Sequence, residues 1–273
     1  MAMLEVNNLS IQFGGLRAVD GFNMTIEKGQ LYGLIGPNGA GKTTVFNLLT
    51  GVYKPTEGII KLDGQDITGK STIEINKAGI ARTFQNIRLF KDMPVLDNVK
   101  VGLHNHHPYS TLTGILRLPK YYKVEKEMNE RAMEILKVFD LDKEADTLAG
   151  NLPYGKQRKL EIARALATDP KLLLLDEHTA ALDPATAEKV LHLTRQIVAE
   201  RQITCLMVTH NMHQALTLGN RTLMMNAGNI VLDVAGEERA AMSVDDLLEQ
   251  FALRAGKALD NDRILFSKVE TQE

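Results

Sequence analysis

Residues 36–43 read GPNGAGKT, which fits the pattern G-x-x-x-x-G-K-[ST] and separates two segments of different periodicity. Before it, LYGLI (31–35) is apolar on both faces, as suits a strand at the centre of a sheet. After it, TVFNLLT (44–50) carries Val45, Phe46, Leu48 and Leu49 at helical spacing, and Gly51 stands where a helix C-cap belongs. That strand–turn–helix context gives the pattern chemical meaning. The glycines let the backbone curl so that successive N–H groups point at phosphate oxygens, and the following helix adds the positive end of its dipole. Lys42 supplies a cation for the β- and γ-phosphates, and the Thr43 hydroxyl suits Mg²⁺. Gly36, Pro37, Asn38, Gly39, Ala40, Gly41, Lys42, Thr43 and Thr44 therefore form the expected nucleotide-binding segment.

A phosphate cradle needs acidic partners, and LLLLDE (172–177) supplies them. Its apolar run reads as a strand buried in a parallel sheet, delivering Asp176 and Glu177 at the C-terminal end, where ligands bind in such sheets. Asp176 suits Mg²⁺ held through water, and Glu177 suits an attacking water. Alone the run is a weak signal; together with the cradle it is a strong one.

Outward from these two motifs the chain divides by pattern. LEVNNLSIQF and FNMTI near the N-terminus read as strands, and GIIKLDGQDI reads as two short strands around an Asp-Gly turn. From about residue 86 to 167 strand signals are scarce. Val124, Met128, Ala132, Ile135, Leu136 and Phe139 mark a long amphipathic helix, and a second runs from about Lys156 to Thr168. The α/β pattern then returns: a helix over about 185–200, the strand ITCLMVT, a helix near Met212–Leu218, and a hairpin around Gly228. Ser243 is the expected N-cap of a last short helix. The polar tail, 256–273, carries no strong pattern.

Composition narrows the function classes. Asp and Glu outnumber Lys and Arg by 34 to 32, a formal charge of -2, so no basic surplus favours nucleic acid. One cysteine, Cys205, sits in an apolar run and reads as a buried structural thiol. No segment approaches the roughly 20 apolar residues that span a bilayer, so a soluble, cytoplasmic chain is expected. His104, His106 and His107 fall in HNHHPYSTLTG without carboxylate or cysteine ligands beside them, and read as a solvated loop rather than a metal site.

The segment NLPYGKQRKLEIARALATDPKLLLLDE (151–177) resembles the signature region of ABC ATPases, usually LSGGQ, a basic residue and a helix shortly before the Asp-Glu strand. The order of cradle, TFQN, signature, Asp-Glu, LDP and VTHN covers most of the chain. The resemblance implies an α/β fold: a P-loop NTPase (RecA-like) core with an N-terminal antiparallel β subdomain and an inserted helical subdomain over about 86–167, within an ATPase domain of residues 1–255. It implies ATP and Mg²⁺ as cofactors. It also implies roles: Gln85 reaching Mg²⁺ and the attacking water; Leu152, Pro153, Tyr154, Gly155, Lys156 and Gln157 as the signature; Ala181, Leu182 and Asp183 as a loop facing a second subunit; His210 bonding the γ-phosphate. Phe13 resembles the aromatic that stacks on adenine, although a core phenylalanine reads almost as well. Two cassettes sandwich two ATPs in this family, so a second ATPase subunit, identical or not, is the implied partner. Integral membrane permease subunits would hold the pair against the inner face of the cell membrane.

The signature departs from LSGGQ: Pro153 replaces Ser, Tyr154 the first Gly, and Lys156 the Gln. Gly155 remains, and with it the backbone N–H at the start of the helix. LPYG followed by LEIARALA is similar to ATPases of branched-chain amino-acid importers, as are GLRAVDGFNMTIEKGQLYGLIGPNGAGKTT and GIARTFQNIRLF. In HTAALDP, His178 and Ala180 stand where that subfamily has Pro and Ser, and VTHNMHQALTLGNR is closer to other importer cassettes. A mosaic joined near Asp176 would account for the difference. The expected function is an ATP-hydrolysing subunit powering uptake of a hydrophobic amino acid. An exporter cassette or a non-transport ABC ATPase are the alternatives, the latter disfavoured by the single cassette and the absence of a basic surplus.

Overall fold

A computed structural model of the chain describes residues 2–105, 111–177, 179 and 182–255. His106, His107, His178, Ala180, Ala181 and the 256–273 tail lie outside the described residues, and with them the readings placed there.

Two sheets enclose the site. In the first, β1 (Ala2–Phe13) pairs antiparallel with β2 (Leu16–Glu27) and with β4 (Glu57–Leu62), which turns into β5 (Gln65–Asp66). Asp63 and Gly64 carry that turn at φ of 50° and 76°, the left-handed pair that a tight Asp-Gly hairpin requires. The second sheet has the order β10-β9-β3-β8-β7-β6. It comprises β3 (Leu31–Ile35), β6 (Ile80–Arg82), β7 (Leu172–Asp176), β8 (Thr204–Val208), β9 (Arg221–Asn226) and β10 (Asn229–Ala235). All its pairings are parallel except β9 with β10. Every residue of β3, β7 and β8 is buried, which explains their unbroken apolar sequences. Cys205 lies within β8, fully buried, and burial pushes its thiol up to about 12.

The helix α1 (Lys42–Leu49) leaves the end of β3 and wedges between the sheets. Val45, Phe46, Leu48 and Leu49 join Leu4, Phe22 and Ile60 of the first sheet and Leu34, Leu174 and Leu206 of the second in one core. Truncating a buried phenylalanine such as Phe46 to Ala costs about 3–5 kcal/mol. The helix α2 (Thr72–Ala78) opens on a capping box in which Ser71 and Glu74 bond reciprocally. On the opposite face lie α3 (Val95–Leu103), α4 (Thr111–Ile115), α5 (Pro119–Val138) and α6 (Tyr154–Leu166). The α5 stripe Val124, Met128, Ala132, Ile135 and Leu136 packs on α3 and α6, as its periodicity predicts. After β7 come α7 (Pro184–Glu200), α8 (Met212–Thr217), α9 (Gly236–Ala241) and α10 (Val244–Ala255). Ser243 caps α10 by bonding Asp246 N–H at 3.1 Å.

The parallel order does the positioning. The C-terminal ends of β3, β6, β7 and β8 point to one edge of the sheet, where they release the cradle, Gln85, Asp176–Glu177 and His210 respectively.

Candidate functional site

The cradle occupies the turn between β3 and α1. Gly36, Gly39 and Gly41 have φ of 146°, 79° and 101°. Two of them are also sterically obligatory: a Cβ on Gly36 would lie 2.3 Å from the Met225 carbonyl oxygen, and one on Gly41 2.8 Å from that of Ala18. The turn is clamped from outside, because Gly228 N–H donates to the Ala40 carbonyl at 3.0 Å and Asp20 N–H to the Gly228 carbonyl at 3.2 Å. The β9–β10 hairpin thus ties the first sheet to the cradle, a contact that no sequence motif announces.

Above the turn is a cleft of about 510 Å³. Asn38 to Thr44 form its floor, and Gln85, Glu177 and His210 its wall. Leu16, Arg17 and Ala18 at the start of β2, with Ala227, complete the lining. These last four were not expected, and their nonspecific residue types carry no signal in the sequence. Lys42 is buried, and its Nζ donates to the carbonyls of Gly36 at 2.8 Å and Pro37 at 3.0 Å. Burial lowers the Lys42 pKa, with the charges of Glu177 and Asp176 pulling the other way.

The structure brings the three wall residues into one hydrogen-bonded group. Gln85 Nε2 donates to Glu177 Oε2 at 2.7 Å, and His210 Nε2 bonds Glu177 Oε1. Burial raises the Glu177 pKa, but these hydrogen bonds, the His210 charge and Lys42 outweigh it and hold the carboxyl below its ordinary range. Glu177 itself adopts φ of 45°, an uncommon conformation for a residue with a side chain, and its N–H is fixed by the Val208 carbonyl at 3.0 Å. A carboxylate with a low pKa is a poor proton acceptor in the resting site, so the arrangement favours orienting and polarising a water over abstracting its proton outright.

Asp176 lies deeper, 2% exposed. Its Oδ2 accepts from Arg82 NH2 at 2.6 Å in a buried ion pair. Arg82 also donates to Asn47 Oδ1 at 2.6 Å and lies over the rings of Phe46 and Phe84, at 5.5 and 5.1 Å. This cation was not read from the sequence, since its partner is 94 positions away. The hydroxyl of Thr43, the carboxylate of Asp176 and the amide oxygen of Gln85 are hard oxygen donors of the kind Mg²⁺ takes, so the residues present fit that ion.

The Gln85 segment is gripped by α6. Arg158 and Glu161 form an ion pair of 2.6 Å, at 0% and 1% side-chain exposure. Arg158 donates to the carbonyls of Phe84 at 2.7 Å and Gln85 at 2.8 Å, while Glu161 accepts from the N–H of Phe84 at 3.4 Å and Arg88 at 3.2 Å.

The signature residues stand elsewhere. Leu152 is buried, Pro153 holds the N-cap position of α6 without a side-chain bond, and Gln157 Nε2 donates to the Leu152 carbonyl at 2.8 Å. Lys156 is paired with Glu144, and Tyr154 is exposed. Gly155 approaches α7 so closely that a Cβ would lie 2.8 Å from Thr186 Cγ2. Asp183 caps α7 by accepting from Thr186 N–H at 3.0 Å. None of the signature residues, nor Asp183, lines the cleft. Phe13 is not a core residue: it is 44% exposed, stacked edge-on against Tyr53 at 5.1 Å, and does not line the cleft either.

A triphosphate cradle before α1, with an Asp-Glu pair delivered by the next strand but one in a parallel sheet, defines a P-loop ATPase cassette. The ABC transporter family profile matches residues 19–180, and the chain belongs to that family. The high-affinity branched-chain amino acid transport ATP-binding protein BraF of Pseudomonas aeruginosa is 41% identical over 236 residues, 86% of this chain and 92% of that protein. Among solved structures, the ADP conformation of MJ1267, an ATP-binding cassette of an ABC transporter, has a TM-score of 0.78 at 33% identity, covering 92% of this chain and 98% of that one. The dimeric post-hydrolysis state of the cassette MJ0796, bound to ADP and Pi, has a TM-score of 0.72 at 27% identity, covering 85% and 98%.

Proposed function

We propose that the chain is the motor of an importer for a branched-chain or related hydrophobic amino acid, working as one of a pair of cassettes beneath membrane permease subunits. The observation that carries the motor reading is the convergence of Gln85, Glu177 and His210 over the Lys42 turn. The solute follows from the likeness to BraF and from the LPYG and ARTFQN segments. In this reading residues 1–255 work as one ATPase domain, with the helices between about 86 and 167 carrying motion to the permease.

The chemistry asks little covalent work of the protein; positioning and charge stabilisation carry it. The Gly36–Thr44 backbone and Lys42 bind the triphosphate, and the negative charge of the phosphates restores to Lys42 the charge stabilisation that burial removes. Thr43, Gln85 and Asp176 would hold Mg²⁺, which supplies neutralisation of charge on the transferring phosphoryl group. Arg82 fixes one Asp176 oxygen. Glu177 orients the attacking water, and His210 turns to the γ-phosphate. Because Leu152–Gln157 stand outside the chain's own cleft, a partner's signature completes each site. Gly155 then offers its N–H across the interface, and two ATPs close the pair. No helix among the described residues is long and apolar enough to cross a membrane, so the permease holds the cassette at the inner face.

Glu177→Gln is the direct test. It preserves ATP binding, lowers turnover by about 10²–10³-fold, and accumulates an ATP-bound dimer on size exclusion. Near-normal turnover removes Glu177 from its role. Lys42→Ala weakens ATP binding in calorimetry, and unchanged affinity contradicts the cradle assignment. A strain lacking the gene should lose uptake of labelled leucine; unaltered uptake of every branched-chain amino acid overturns the solute reading.

A further inference from the structure

Between Asp97 and Glu125 the chain has no carboxylate, in a protein with a formal charge of -2. The described part of this stretch ends in a sharp corner. Just past the end of α4, Leu116 N–H donates to the Leu112 carbonyl at 3.0 Å and Leu118 N–H to that of Thr113 at 3.2 Å. Arg117 then takes a left-handed φ of 45°, and α5 begins at Pro119. The buried stripe of α5 starts only at Val124, so its first turn projects from the core.

Two properties coincide on this corner. Leu112, Ile115, Leu116, Leu118 and Tyr122 are each at least 42% exposed. Arg117, Lys120 and Lys123 are exposed and make no ion pair among the described residues, whereas nearby Lys100 is neutralised by Glu125 at 2.6 Å and Asp97 at 3.7 Å. Apolar side chains and tyrosine interleaved with free cations are the composition of a segment that rests in a membrane interface. Charge decides between lipid and protein as the occupant. Cytoplasmic loops of membrane proteins carry an excess of Lys and Arg, which repels three more cations. The cytoplasmic leaflet is anionic and attracts them.

We propose that the corner from Leu112 to Lys123 is a lipid-docking surface that lays Leu112, Ile115 and Leu116 into an anionic leaflet with Arg117, Lys120 and Lys123 among the headgroups. The inference rests on the reading that the cassette works at the inner face of a membrane. It gives the helical side of the cassette a second, reversible attachment beside the permease.

Sedimentation of the purified full chain with phosphatidylcholine vesicles, with or without phosphatidylglycerol, tests it. The chain binds the anionic vesicles and not the neutral ones, and raised salt releases it. Arg117→Ser/Lys120→Ser/Lys123→Ser weakens that binding by about a hundredfold, three charges each contributing about a factor of five. Ile115→Ser/Leu116→Ser weakens it as well, and both variants keep wild-type ATP turnover in solution. Equal binding to both vesicle types, no binding, or indifference to the charge variant each overturns the proposal. So does a result in which the variants bind vesicles like wild type but lose association with detergent-solubilised permease, which would make the corner a protein contact. Turnover is measured on the same samples: turnover without vesicle binding removes this inference alone, and vesicle binding without turnover removes the motor reading and leaves the docking surface.

Discussion

Glu177 is held in a left-handed backbone conformation that costs on the order of 1–3 kcal/mol, with both carboxylate oxygens bonded. Its folded pKa lies below the ordinary value of 4.5, so the linked stability is fully present above that value and is lost as pH falls through the folded pKa. Gln85→Ala removes one of the hydrogen bonds that depress it without adding a titrating group. The variant should be less stable than wild type at neutral pH by about 1–2 kcal/mol, and the deficit should shrink as pH falls below the folded pKa. Denaturant titrations at several pH values measure this, and a deficit independent of pH would detach Gln85 from the Glu177 titration. Arg82 offers a second residue-scale test. Arg82→Met leaves Asp176 a buried, unpaired charge and should cost about 3–5 kcal/mol of stability, measured by the same titrations; a loss below about 1 kcal/mol would mean that water or another group already compensates Asp176. Lys42, Asp176 and Glu177 stand in short motifs whose chemistry fixes the residue type, whereas Gln85 and His210 were expected only from the resemblance to ABC ATPases. Arg82 was not legible, because nothing local to IARTF distinguishes a buried cation from a surface one.

At the scale of elements, the cleft and the signature helix are joined by one ion pair. Arg158 and Glu161 hold Phe84, Gln85 and Arg88 by their backbone, so α6 cannot shift without moving the Gln85 segment. Arg158→Leu alone strands Glu161 and should destabilise by about 3–5 kcal/mol. The double change Arg158→Leu/Glu161→Leu should recover most of that loss, yet free the backbone of Phe84 and Gln85 from α6. ATP affinity then stays near wild type while turnover falls by about tenfold or more; equal turnover in the double variant would show that the grip is structural only. The strands β1, β3, β7 and β8 and the helices α5, α6 and α7 followed from periodicity, since each is long or buried enough to carry a clear pattern. β6 did not, because three residues show no period, and its pairing with β7 is supplied by the sheet. In α3, VLDNVKVGL mixes β-branched residues into a helix that packing against α5 and α6 enforces. α2 had a readable start signal, Ser71 with Glu74 three positions on, hidden by the shortness of the helix.

For the whole molecule, the proposed sharing of each site between two cassettes predicts that activity is a property of pairs. Specific ATP turnover of the isolated chain should rise with protein concentration until dimers saturate; a constant value from nanomolar to micromolar chain would contradict a shared site. The helical segment between two parts of an α/β core was legible from the scarcity of strand signals and the return of the α/β pattern at KLLLLD, whereas the separate antiparallel sheet was expected only from the resemblance. The clamp of the β9–β10 hairpin on the cradle was not legible, because it depends on where the sheets meet. The same packing isolates the chain's one thiol. Cys205 lies inside β8 with its proton held to about pH 12. A cysteine introduced at an exposed position such as Tyr122 or Leu253 would then be the sole site open to maleimide chemistry. Spin labels or dyes could be attached there without altering the native residue, so that the gap between two cassettes is followed through a catalytic cycle.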